Sequence, residues 1–272
     1  MNRSLLYKQC RVLGFLLMPF IFVACSPGPA AFQTAENDTL VPSFTENNII
    51  HGETVDATNK LAKSVVAIVI KTSERQSICT GTLIDKHRVL TAAHCVDKES
   101  PQIIIVFART LENLAKENVR AVQSLKIHPD WQDDQKQGRG DMAILTFEGT
   151  TPKEFHPVAL APKSLKLNSG KKVLLMGYGV NNAEEHSGAG TLRQTQTSVL
   201  GIVSESEIKL DSRSSSACFG DSGGPAFVQH SGKWVQWGVA SSSSNSKCND
   251  SAIYTQVQVY KSWLGKAKSS GR

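Results

Sequence analysis

Residues 217–227 read A-C-F-G-D-S-G-G-P-A-F, placing three glycines, an acid and a proline around one serine, Ser222. Gly, Asp, Ser and Pro are the usual turn residues, so a plain loop explains the composition. A second reading makes Ser222 a nucleophile and lets the glycines bring a carbonyl close to the backbone. An isolated serine hydroxyl is a poor nucleophile and needs a neighbouring base. The second reading therefore requires a positioned histidine, and an acid to orient it, elsewhere in the chain.

The chain has seven histidines. A lone histidine is more often a surface or structural residue than a catalyst, and six of the seven have no distinguishing context. His94 sits in V-L-T-A-A-H-C, residues 89–95, directly beside Cys95. A disulfide at that cysteine would pin the histidine's backbone. Asp141 opens the apolar run D-M-A-I-L-T-F, residues 141–147, where a carboxylate is expected to be partly buried. Its rivals Asp130, Asp133 and Asp134 lie in a polar loop and are expected to be solvated.

Around these residues the pattern is short strands: 64–70, 102–107, 119–127, 141–147, 172–179 and 233–240. They are rich in Val and Ile and bounded by Gly, Asn, Asp and Pro. Helical periodicity is confined to residues 259–268. Many short strands separated by turns predict an all-β barrel or sandwich, and the pattern alone does not choose between the two.

The 272 residues, 40% hydrophobic, suffice for one large domain or two small ones. The net charge of +6 is spread over 30 basic and 24 acidic residues without a Lys/Arg run. That favours solubility over nucleic-acid binding. The N-terminus is a separate object. Arg3, Lys8 and Arg11 precede a 13-residue apolar stretch, Val12–Ala24, interrupted by Pro19. It is too short to span a bilayer as a helix and fits a secretory signal peptide over residues 1–24. Its end, F-V-A-C-S, resembles a bacterial lipoprotein signal in which Cys25 becomes the lipidated first residue, although Phe22 stands where Leu is usual. The alternative is ordinary cleavage nearby that leaves a free thiol at Cys25. Residues 25–48 then read as a lipid-anchored linker or pro-segment, and 49–272 as the folded domain.

Of six cysteines, Cys79, Cys95, Cys218 and Cys248 remain for that domain. An even set in an exported chain suggests two disulfides, with three connectivities open. A zinc site is the alternative, but no C-x-x-C or tight Cys/His spacing supports it. No motif implies a metal or organic cofactor.

T-A-A-H-C (91–95) and G-D-S-G-G-P (220–225), in that order, resemble the trypsin/chymotrypsin family of serine proteases. I-C-T-G-T-L-I (78–84), G-D-M-A-I-L (140–145), M-G-Y-G (176–179) and A-I-Y-T-Q-V (252–257) resemble further family segments in register, so the likeness runs from Ile49 to about Lys268. It implies two antiparallel β-barrels of the chymotrypsin type with a C-terminal helix and the active site in the cleft between them. It also implies a triad of His94, Asp141 and Ser222, with the N–H groups of Gly220 and Ser222 as the oxyanion hole. Cys79 would pair with Cys95, and Cys218 with Cys248. The other disulfides common in animal members are absent, which suggests a pared-down bacterial member.

The resemblance carries regulation and specificity with it. I-I-H-G-E (49–53) resembles the segment that follows an activating cut, after which the Ile49 amine would pair with Asp221. Asn48 replaces the usual Arg or Lys, so the activating protease is not trypsin-like. The alternative is a plain first strand and a constitutively ordered site. The pocket base falls at Ser216 and the substrate-binding wall at Ser241 to Ser243, and both Ser243 and Ala252 stand where wide-pocket members have Gly. An uncharged base with Ser243 and Ala252 narrowing the space implies cleavage after neutral or apolar residues. Asp250, if it pointed inward, would instead favour basic ones. The expected partners are protein or peptide substrates and an activating protease. Nucleic acid is not expected, and a membrane only through Cys25. The expected state is an exported monomer, anchored or periplasmic or extracellular after processing. Two other classes compete. An inactive protease-like binding protein would need a failed activation step, since His94, Asp141 and Ser222 are all present. An esterase would combine G-x-S-x-G with the order Ser, Asp, His and alternating strand–helix units, whereas this chain reads His, Asp, Ser.

Overall fold

The computed structural model describes residues 49–266 apart from 51, 74, 97–101 and 133–138. The expected leader and linker, with Cys25, lie outside the described residues, as do Asp133 and Asp134. The first half carries β1 (Glu53–Thr54), β2 (Val65–Lys71), β3 (Gln76–Asp85), β4 (Arg88–Thr91), β5 (Gln102–Val106), β6 (Val119–Ile127) and β7 (Ala143–Phe147). The second carries β8 (Ala159–Leu160), β9 (Lys172–Gly177), β10 (Arg193–Ile202), β11 (Glu207–Asp211), β12 (Pro225–His230), β13 (Lys233–Ser243) and β14 (Ser251–Gln256), then α1 (Lys261–Lys266).

These strands close into two six-stranded antiparallel barrels. The first runs β2-β3-β4-β7-β6-β5. The second runs β9-β10-β11-β14-β13-β12 and closes because β9 pairs with both β10 and β12. β1 extends the second barrel along β10, and β8 pairs in parallel with β13. The architecture is the chymotrypsin-like one, which decides between barrel and sandwich.

The run V-V-A-I-V-I in β2 is apolar at every position because both of its faces are covered. Successive side chains point to opposite sides of a strand. Val66, Ile68 and Ile70 fill the first barrel's core with Leu83, Leu90, Ile105 and Leu145. Val65, Ala67 and Val69 face a separate apolar layer with Leu174, Met176 and Phe227 of the second barrel. That shared layer sets one barrel against the other, and each fully buried Val or Ile contributes roughly 1.5–3 kcal/mol. Trp237, Tyr254, Ile208 and Leu210 build the second barrel's own core. Tyr260 and Leu264, at and just before α1, return to pack on the first barrel's core. The two halves are thereby tied at a second point.

Observed strand limits agree with the expected ones within a few residues, and β6 matches 119–127. The helix is shorter than expected, Lys261–Lys266 against 259–268, with 267 and 268 outside the described residues. β10, β11 and β12 carried no pattern that marked them in advance.

Candidate functional site

β4 ends at Thr91 and the chain tightens into a 3-10 turn, Ala93–Cys95, which carries His94. Cys95 bonds to Cys79 on β3, fixing the turn from below. The His94 backbone N–H donates to Asp141 Oδ1 at 3.0 Å, and the ring Nδ1 lies 2.8 Å from Asp141 Oδ2. A third donor, Ser241 Oγ on β13 of the second barrel, reaches Asp141 Oδ2 at 2.6 Å. Asp141 is 1% exposed, just ahead of β7. The three donors fix the carboxylate, which holds one edge of the imidazole, while Nε2 on the other edge lies 3.9 Å from Cys95 Sγ. Asp130, by contrast, is exposed, with its carboxylate 3.9 Å from His128.

Tyr260 braces the acid from behind, since its hydroxyl accepts the N–H of Gly140 at 2.8 Å.

Ser222 lies in the loop before β12, half-buried. Gly223 lets this loop press on the segment leading to His94. A Cβ there would lie 2.0 Å from Thr91 Oγ1 and 2.9 Å from the Ala92 nitrogen. Thr80 on β3 stitches the loop down: its N–H donates to Ser222 O at 2.8 Å and its hydroxyl to Gly220 O at 2.9 Å. Gly220 has φ +97°, a conformation that favours glycine. The amides around it are engaged within the fold: Asp221 N–H with Cys218 O, Gly223 N–H with Ala240 O, Gly224 N–H with Asp221 O.

Asp221 is 3% exposed. Burial pushes its carboxyl up to about 6, against the lowering effect of N–H bonds from Cys218 and Gly179 and of the Arg193 charge. Ile49 is buried in the second barrel's core, and Ile50 bridges to Ser216, whose N–H donates to Ile50 O at 3.2 Å.

Beside Ser222 opens a pocket of about 70 Å³ lined by Ala217, Ser241, Ser243, Ala252 and Tyr254 among others. Its walls carry no charged side chain among the residues that line it. The Ser243 hydroxyl is buried there without a hydrogen-bond partner among the described residues. Ser216 sits underneath and out of the lining: it is fully buried, and its hydroxyl donates to the Cys248 carbonyl. Asp250 is exposed and accepts hydrogen bonds from Ser244 and Ser251 at 3.0 Å, so its carboxylate is engaged away from the pocket. The bond Cys218–Cys248 ties the Ser222 loop to the pocket wall.

The sequence left Thr80, Tyr260 and Arg193 unmarked. Thr80 stands in a stretch quoted for its likeness and Tyr260 in the expected helix, but nothing local signals that their hydroxyls fasten the site. Arg193 sits in a polar run, and only its burial sets it apart.

A family model described as Trypsin matches residues 49–264, and the chain belongs to the trypsin family of chymotrypsin-like serine proteases. Among curated relatives, Chymotrypsin-like elastase family member 1 of Homo sapiens is 28% identical over 215 residues, covering 72% of this chain and 83% of that protein. The same protein from Rattus norvegicus is 29% identical over 212 residues, covering 68% and 77%. Serine protease 28 of Mus musculus is 24% identical over 211 residues, covering 69% and 76%.

Proposed function

We propose that the chain is a serine endopeptidase working through His94, Asp141 and Ser222. The observation that carries the reading is the three-donor grip on Asp141, which fixes the Nδ1 edge of His94. His94 removes the Ser222 hydroxyl proton as the oxygen attacks the peptide carbonyl. The tetrahedral oxyanion is received by the N–H groups of Gly220 and Ser222, each such donor being worth roughly 3–4 kcal/mol in enzymes of this kind. His94 then protonates the leaving amine, and water hydrolyses the acyl-enzyme by the same steps in reverse order. Asp141 steadies the charged imidazole throughout.

The uncharged pocket, narrowed by Ser243 and Ala252, favours small or medium neutral and apolar side chains before the cut. The outward engagement of Asp250 weighs against a preference for basic ones. A buried Ile49 and a buried Asp221 support activation by cleavage between Asn48 and Ile49. The new amine would neutralise a carboxylate whose isolated burial costs several kcal/mol. Two disulfides and the leader-like start support export, with residues 1–24 removed and a lipid on Cys25 holding the precursor at a membrane until the cut frees residues 49–272 as a monomer.

A peptide-library cleavage profile on the chain starting at Ile49, with Ser222→Ala as control, tests this. The expected result is cleavage after neutral or apolar residues, abolished by the substitution. No cleavage by folded protein with a free Ile49 amine would leave a binding protein as the better reading.

A further inference from the structure

We propose that Arg193 is a positioning residue, a standing countercharge that holds Asp221, and through it the Gly220–Ser222 loop, before any cut at Asn48–Ile49. The inference rests on the protease reading above and concerns how that site is regulated.

Asp221 is enclosed on all sides. Its Oδ1 accepts the Gly179 N–H at 2.8 Å and its Oδ2 the Cys218 N–H at 2.9 Å. A Cβ on Gly179 would lie 2.4 Å from Oδ2, so the backbone touches the carboxylate where a side chain would otherwise stand. Two amide dipoles ease the burial of a charge but do not neutralise it.

Arg193 is the first residue of β10 and is 9% exposed. Its Nη1 donates to Gly188 O at 2.7 Å, Thr191 O at 3.2 Å and Gly179 O at 3.4 Å. Gly179 therefore stands between the two charges, giving its N–H to Asp221 and its carbonyl to Arg193. The guanidinium's bonds go to neutral carbonyls, which leaves its full charge available to a carboxylate nearby. The electrostatics run both ways. Burial lowers the Arg193 pKa while Asp221 raises it, and Arg193 opposes the upward push on Asp221.

Ile49 in this chain is still joined to Asn48. A cut there adds a second cation for Asp221 and does not remove the first. The uncleaved chain should then keep a fraction of its activity, and that fraction should depend on Arg193 more than the activity of the cleaved form does.

The test compares two forms of wild type, Arg193→Gln and Arg193→Lys: the full chain with the 48–49 bond intact by mass, and the chain starting at Ile49. The readouts are the rate of fluorophosphonate labelling of Ser222, and kcat and KM on a small apolar peptide substrate. Wild type is expected to label in both forms. Arg193→Gln should cost the uncleaved form at least about tenfold more than the cleaved one, the equivalent of about one pKa unit of lost charge interaction, and in kcat more than in KM. Arg193→Lys, which keeps the charge but not the fork, should recover most of the difference. A merely structural arginine would lower both forms equally and Lys would not rescue it; that pattern overturns the inference. So does an inert uncleaved wild type beside an active cleaved one. If neither wild-type form labels, the protease reading itself falls and takes this inference with it. Should Arg193→Gln not fold, Arg193→Lys alone decides. A ratio between the two forms close to wild type supports the countercharge, and a ratio falling tenfold or more removes it.

Discussion

Ser241 on the second barrel donates to the same Asp141 oxygen, Oδ2, that faces His94 Nδ1 from the first. The hydrogen bond from Ser241, at 2.6 Å, thus spans the barrels at the acid of the candidate triad. It makes the geometry of His94 depend on how the two halves sit together, which the apolar layer of Val65, Ala67, Val69, Leu174, Met176 and Phe227 maintains.

Removing that donor should therefore be felt at the histidine. A hydrogen bond to a charged group contributes about 1.5–3 kcal/mol, and Ser241→Ala is expected to lower kcat about tenfold or more. Ser222 labelling and peptide turnover, measured side by side, check it. An unaltered kcat would mean that the two donors from His94 already hold Asp141 without help.

Asp221 gives a prediction about pH. Its carboxyl is pushed up to about 6 in the folded chain, from an ordinary value near 3.8. A raised folded-state pKa contributes stability that is fully present below the unfolded value and is lost as pH rises through the folded one. In the uncleaved chain, wild type is expected to lose about 3 kcal/mol from this group between about pH 4 and somewhat above pH 6. Asp221→Asn should lack that part of the slope, whatever its absolute stability. Urea denaturation at several pH values isolates the term, because the other groups titrate alike in both proteins. Parallel curves would show that Arg193 and the two amides already hold the carboxylate ionised at its ordinary value.

The two disulfides enclose loops of different length, with separations of 16 residues for Cys79–Cys95 and 30 for Cys218–Cys248. Replacing either pair by alanines should cost roughly 2–4 kcal/mol, with the longer loop at the upper end. The functional effects should differ. Cys248 lines the pocket and its carbonyl accepts the Ser216 hydroxyl, so its loss should raise KM. Loss of Cys95 loosens the turn under His94 and should lower kcat. Denaturation midpoints with steady-state kinetics separate these outcomes, and identical kinetic defects in the two variants would contradict the assignment.

Much of this arrangement could be read in advance, and where reading failed the reason is physical. β2, β5, β7 and β9 are legible because burial on one or both faces demands Val, Ile and Leu. β10 is equally buried over much of its length yet begins R-Q-T-Q-T-S. Its polar side chains are paired inside the fold. Gln194 donates to Glu53 and accepts from Asn59, and the Thr195 and Ser215 hydroxyls share a 2.7 Å bond. Polarity satisfied by partners far along the chain leaves no periodic signal. The same holds for Thr80, whose value lies in reaching Ser222 and Gly220, some 140 residues away. Register pointed to Ser216 as the pocket base but carried no information on where its hydroxyl turns, and the Cys248 carbonyl takes it.

The pocket supplies the remaining prediction. Ser243 and Ala252 are directly opposed across β13 and β14, so they form one continuous constriction and not two separate ones. Both side chains line the space beside Ser222, so a large aromatic side chain should meet that wall before a small one does. Removing both side chains, Ser243→Gly with Ala252→Gly, also removes the unpartnered Ser243 hydroxyl, which a buried apolar ligand would leave unsatisfied at a cost of about 1–3 kcal/mol. Size and polarity therefore push the same way. The double variant is expected to raise kcat/KM for Phe relative to Ala before the cut by at least about tenfold, in line with about 1–3 kcal/mol for each methylene-sized difference in a pocket. Each single variant should give only part of the change, because the neighbouring side chain still narrows the space. Paired substrates that differ only at that position measure it directly. A preference that stays with small residues in the double variant would move the size limit deeper, to the Cys218–Cys248 bridge and Tyr254, which line the same pocket.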